Sequence, residues 1–200
     1  SHSLLSSLTT GTWFALVLAD KKLMMKKTYS SLLLVLLLAI GFSVQAQDHE
    51  KNVNTGDGVG KALPAFDFEM PNGDRLTPEK LPAAQPVIVF YFDPFCDHCN
   101  AQAKMIQEQA AKMEGITMIW VSWAEGHKDN IDFFKKYFMK MPTRTLVVRD
   151  DKFAIDDYFG YSQVPSIYVY NQDRLRTATF RAESDPDILV KFARQVKASN

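Results

Sequence analysis

The sequence predicts one α/β domain, a central mixed sheet flanked by helices. Three observations carry this. Residues 87–92 (Val-Ile-Val-Phe-Tyr-Phe) have no charged member, and 116–123 are largely apolar, as strands buried on both faces are; each run precedes a stretch with helical spacing. Residues 166–180 read as an antiparallel hairpin turning at Asn171, Gln172 and Asp173. An amphipathic stretch over 185–198 closes the chain.

Each element has a local reason. Residues 65–70 alternate apolar and polar side chains, and Pro71-Asn72-Gly73-Asp74 supplies a turn, so a hairpin opens the domain. Residues 76–81, with Pro78 inside and Pro82 beyond, make a short turn or helical piece. Residues 87–92 form the central strand. Ala103, Ile106, Ala110 and Met113 recur at helical spacing, which predicts a helix over 96–113 stopped by Gly115. The strand over 116–123 follows, then a helix over 130–139 with Ile131, Phe134 and Phe138 on one stripe. Residues 145–148 are a short strand and 154–159 a short helix ended by Gly160. Strands 166–170 and 175–180 and the helix over 185–198 finish the domain. Phe133, Phe134, Tyr137 and Phe138 read as core, Trp120 and Trp123 as strand core or rim, and His127, Arg144 and Arg149 as solvated.

The N-terminal fifth has a different character. Residues 25–46 carry a basic start (Met25-Lys26-Lys27), an apolar run over 32–40 and a small-residue exit (Val44-Gln45-Ala46), the three parts of an export signal. Cleavage is expected after Ala46. The rival reading is an uncleaved anchor, but the apolar stretch over 29–44 is shorter than the roughly 20 residues a spanning helix needs. Residues 1–24 lack an initial Met and read as upstream or non-native, with translation starting at Met24 or Met25. Residues 47–60 are a polar, flexible leader, and 61–200 the domain. Without residues 1–46, 154 residues remain, with 19 basic and 22 acidic side chains and a net charge near −3. That balance offers no basic face for nucleic acid. The expected location is the periplasm.

The only cysteines are Cys96 and Cys99, in Cys96-Asp97-His98-Cys99 directly after the central strand. A cysteine opening a helix meets unpaired backbone N–H groups and the positive end of the dipole, which favour its thiolate. Cys99, one turn along, can close a ring onto Cys96 and release a partner. Two cysteines three apart leave none for structural stapling, although an exported chain could carry disulfides. The pair is therefore catalytic, regulatory or metal-binding. Protonated His98 would favour the Cys96 thiolate; Asp97 pulls the other way.

The strand–Cys-x-x-Cys–helix unit, followed by Val164-Pro165-Ser166 opening a late strand, resembles the thioredoxin superfamily. The lead-in over 60–68, with Gly73 in the turn, resembles its exported TlpA/ResA-like, redoxin-type branch, and the likeness spans residues 59–196. It implies a thioredoxin-like fold with an N-terminal β-hairpin extension. It also implies a thiol–disulfide oxidoreductase that reduces or exchanges disulfides in client proteins and is fed by a thiol–disulfide electron donor, membrane-bound or not. No cofactor and no metal are expected, and the chain is expected to be a monomer. Cys96 would be the nucleophile and Cys99 the resolving thiol. Phe95, Val164 and Pro165 would form the client-binding surface, with a cis Pro165 against the dithiol and backbone near Val164 pairing with an extended client segment.

Departures from the pattern matter. Thioredoxins carry a buried Asp six residues before the first cysteine, where this chain has Phe90; the branch often carries Glu three residues after the second, where Gln102 stands. Asp93 is the candidate substitute proton acceptor. DsbA-like oxidases share a His before the second cysteine but have Pro in place of Asp97, so the expected potential lies roughly between −250 and −170 mV. A net oxidase therefore stays open as a second direction. A zinc site lacks its second cysteine pair, and haem attachment needs His where Asn100 stands. Peroxiredoxins have Thr where Asp93 stands, and Sco-like copper proteins space their cysteines by three residues. A redox-inert or metal-carrying binding module on the same scaffold is the alternative from another class.

Overall fold

A computed structural model describes residues 53–54, 58–141, 143–160 and 162–196. The expected export signal, residues 1–24 and most of the leader lie outside the described residues. In chain order the strands are β1 (Val53–Asn54), β2 (Phe68–Glu69), β3 (Arg75–Leu76), β4 (Val87–Tyr91), β5 (Thr117–Ser122), β6 (Thr145–Arg149), β7 (Ser166–Tyr170) and β8 (Arg176–Phe180). The helices are α1 (Asp97–Glu108), α2 (His127–Tyr137), α3 (Ile155–Phe159) and α4 (Pro186–Ala193). Among the described residues the strands form one sheet in the order β1–β8–β7–β4–β5–β6–β2–β3.

β4, β5 and β6 run parallel; on the other side of β4, β7 lies antiparallel to it and β8 antiparallel to β7. Parallel neighbours need crossovers, which α1 and α2 provide. The period of two in a strand divides the core. Ile88, Phe90 and Phe92 point into a cluster with Cys99, Ala103 and Ile106 of α1 and with Trp120, Phe133 and Leu189. Val87 and Val89 point to the opposite face, against Phe66, Phe68, Phe159, Tyr168 and Tyr170. Ring stacking locks both sides, with centroids 4.2 Å apart for Phe90 and Trp120 and 4.8 Å for Phe159 and Tyr168. The expected core role of Phe133, Tyr137 and Phe138 and the central burial of β4 are both present.

The opening hairpin is shorter than the alternating pattern, with two residues in each strand. It extends the sheet at the β6 edge through Glu69 opposite Arg149. Gly73 takes φ +84° in its turn, a conformation that costs glycine little. Arg75 donates to Asp67 at 2.6 Å and to Asp151 at 3.0 Å, tying the hairpin to the turn after β6.

Three helix boundaries depart from the periodicity. The expected helix over 96–113 is broken at Gln109 (φ −116°), and a 3-10 turn, Ala110–Met113, continues it and buries Met113. α2 starts at His127, because extended Gly126 precedes it and its buried polar residue, Asn130, reaches Ser122 and the Val148 carbonyl. α4 ends at Ala193 rather than 198; it opens with Pro186 at its first position and the Asp185 carboxylate accepting from the Asp187 N–H at 2.7 Å.

Candidate active site

The end of β4 delivers the dithiol. Phe92 still donates to the Val121 carbonyl, and the chain then turns over Asp93, Pro94 and Phe95. The Asp93 carboxylate accepts from the Phe95 N–H at 2.8 Å, and its carbonyl accepts from the Cys96 N–H at 3.1 Å. This tight loop sets Cys96 (φ −75°, ψ 123°) as the N-cap of α1, where its Sγ accepts from the Cys99 N–H at 3.4 Å. Asn100 braces the loop from below, donating at 2.9 Å to the carbonyls of both Pro94 and Cys96. The Tyr137 hydroxyl donates to Asn100 Oδ1 at 2.7 Å and so ties the junction to α2. Asn100 and Tyr137 are site-supporting residues that local sequence spacing does not reveal, because they meet only when α1 and α2 pack.

The two sulfurs differ sharply in environment. Cys96 is partly exposed and Cys99 has no accessible surface, so only Cys96 is open to a partner. Burial pushes the Cys99 thiol well above the usual thiol range; a hydrogen bond with the Asp93 backbone offsets part of this, and the facing Cys96 sulfur adds to it. Asp97 lies exposed in the first turn of α1. His98 is exposed too, yet its Nδ1 sits 2.5 Å from the Glu183 carboxylate. That carboxylate, more than Asp97, raises the His98 imidazole above its ordinary value. Glu183 was not legible in the sequence, since 85 residues separate the pair. Gln102 is fully buried: its amide donates to the Ser184 carbonyl at 3.0 Å, and its Oε1 accepts from the Ser184 N–H at 2.6 Å.

The antiparallel register sets Tyr91 opposite Ser166, so the Val164–Pro165 peptide lies at the same sheet end as the exit of β4. That peptide bond is cis. Pro165 is buried, and half-buried Val164 packs against the same core cluster as Cys96. Ser166 exchanges hydrogen bonds with the Gln163 backbone, and Arg181 donates to Ser166 Oγ and to the Tyr168 hydroxyl. Phe95 is 76% exposed. It borders a cavity of about 260 Å³ shared with Asp93, Ser122, Trp123, Glu125 and Asp129.

Two residues expected in solvent are held instead. His127 is largely buried at the start of α2, 3.4 Å from Glu69. Arg149 donates to the same Glu69 carboxylate and to the Glu125 carbonyl, because the hairpin docks on β6 there. Among the described residues, no three His, Cys, Asp or Glu side chains converge as a metal site would need.

Comparison with protein-family models and with curated proteins finds no match. Solved structures do match. A secreted Mycobacterium tuberculosis disulfide oxidoreductase homologous to E. coli DsbE is 18% identical with a TM-score of 0.53, over 64% of this chain and 94% of that one. StoA from Bacillus subtilis is 16% identical with a TM-score of 0.51, over 66% and 99%. A thioredoxin-like protein from Porphyromonas gingivalis is 20% identical with a TM-score of 0.52, over 66% and 94%. With the mixed sheet, the strand–cysteine–helix junction and the late hairpin already described, these likenesses show that the chain has the thioredoxin-like fold.

Proposed function

We propose that this chain is an exported thiol–disulfide oxidoreductase that reduces or exchanges disulfides in client proteins. The observation that carries the reading is the asymmetry of the dithiol: a reachable Cys96 capping α1 and a fully buried Cys99 one turn along. The likeness to proteins described as disulfide oxidoreductases supports it.

The chemistry balances as two exchanges. The Cys96 thiolate attacks one sulfur of a client disulfide, and the other client sulfur leaves as a thiolate. Cys99 then loses its proton and attacks Cys96 Sγ. The mixed disulfide breaks, the second client sulfur leaves with its electron pair, and a Cys96–Cys99 disulfide remains. The client is reduced by two electrons, and a thiol donor protein restores the dithiol. Burial keeps Cys99 protonated in the free protein, and Asp93, which faces it, is proposed to take its proton as the sulfur attacks. Phe95, Val164 and Pro165 are proposed to seat the client segment, and Asp97 to moderate the thiolate.

A net oxidase is the second reading, favoured by an imidazolium at His98. The Glu183 carboxylate offsets that charge and favours the reducing direction. Equilibrating the purified protein against glutathione buffers separates the two. A potential below about −220 mV supports the reductase and one above about −150 mV the oxidase. Absence of any reversible couple would sink both.

A further inference from the structure

The β8–α4 loop contributes to the dithiol site although it lies some eighty residues from it in sequence. Gln102, on the second turn of α1, is fully buried and grips both backbone polar groups of Ser184, which is fully buried as well. Residue 183 is thereby fixed beside the first turn of α1. From there Glu183, with its side chain 26% exposed, reaches His98 Nδ1 at 2.5 Å. His98 itself stands directly between the two cysteines in sequence.

We propose that Glu183 is a positioning residue of the dithiol: it anchors the His98 ring and offsets its charge, so that Cys96 reacts without the pull of a free imidazolium. This rests on the oxidoreductase reading and specifies how that site is set. The charged groups around it are few. Asp97 faces His98 from α1, Glu183 from the β8–α4 loop, and Asp93 faces the cysteines from the β4–α1 loop. All three are acidic. Two other cations stand at the edge of the site, Lys136 of α2 on Asn100 Oδ1 at 3.3 Å and Arg181 on Ser166 Oγ at 3.2 Å, while His98 is the one that Glu183 is held against. An imidazolium two residues from Cys96 would otherwise draw the sulfur toward its thiolate. Paired, it presents no net charge.

Glu183→Gln separates the two contributions by pH. The freed His98 carries its charge below its ordinary value near 6.5 and loses it above. Cys96 in the variant should therefore alkylate with iodoacetamide about threefold to tenfold faster than in the native protein at pH 5.5. The ratio should narrow as pH rises through about 6.5. The NMR titration of His98, identified by its loss in His98→Gln, should fall toward the ordinary imidazole value in Glu183→Gln and stay raised in Glu183→Asp. In the His98→Gln background, Glu183→Gln should no longer give a pH-dependent ratio. A ratio that is flat with pH, or unity at pH 5.5, overturns the role of Glu183, as does an unchanged His98 titration. A Cys96 that neither alkylates nor forms a mixed disulfide with glutathione in any variant would instead overturn the oxidoreductase reading, and this proposal with it.

Discussion

Gln102→Ala tests whether the buried clamp between α1 and the β8–α4 loop holds the site together. The side chain has no accessible surface and makes two hydrogen bonds, 2.6 and 3.0 Å, to the backbone of Ser184, a residue that is also fully buried. Truncation leaves an N–H and a C=O without partners, at about 1–3 kcal/mol each. Water entering the polar gap recovers part of that. The expected loss is about 2–4 kcal/mol, large against the roughly 5–15 kcal/mol that holds a domain of this kind yet short of unfolding it. Urea unfolding followed by tryptophan fluorescence reads it, with the midpoint lowered and the slope unchanged. Buried Trp120 sits in the same core cluster as Ala103 and Ile106 of α1 and serves as reporter. A loss below about 1 kcal/mol would refute the reasoning, because it would mean the Ser184 groups were satisfied without Gln102. Gln102→Glu sharpens the test. A carboxyl buried there must be protonated to donate to the Ser184 carbonyl, so its folded-state pKa lies above its unfolded value. Stability should then approach native below about pH 4 and fall as pH rises through the raised folded value.

Other outcomes follow from the same geometry. Cys96→Ser should abolish insulin-disulfide reduction while Cys99→Ser accumulates mixed disulfides with clients, seen on non-reducing gels; normal turnover by Cys96→Ser would sink the assignment. Arg75→Ala should cost about 1–2 kcal/mol in urea unfolding at pH 7, since Arg75 joins Asp67 and Asp151 in partly buried pairs. Arg75 lowers both carboxylates, so this contribution is present above their unfolded pKa near 4 and is lost as pH falls through the lowered folded values. For His98 the sign is opposite: Glu183 raises its pKa, so its contribution is full below about 6.5 and disappears as pH climbs through the folded value. The difference in melting temperature between the native protein and His98→Gln should shrink accordingly between pH 5 and pH 9.

Strand positions, helix positions and the dithiol were legible locally. A run such as Val87 to Tyr91 can be buried on two faces only in a sheet interior, and it is. The placement of Cys96 at a helix start likewise follows from an apolar strand meeting a helical stretch. Helix ends were less legible. Gln109 and Ala193 close their helices through backbone geometry that apolar spacing does not encode. His127 and Arg149 read as solvated because polar side chains usually are, whereas the docked hairpin brings Glu69 to both.

By itself, then, the sequence determined an α/β domain with a dithiol at the helix start that follows its central strand, and named the sulfur that opens the helix, because those properties depend on neighbours a few residues apart. Only the tertiary structure decided that Cys99 is sealed, that Asn100 is braced by Tyr137, and that Glu183 meets His98. Each of these joins elements distant in the chain. Burial and the distance between charges are properties of packing, and no local pattern of residues specifies them.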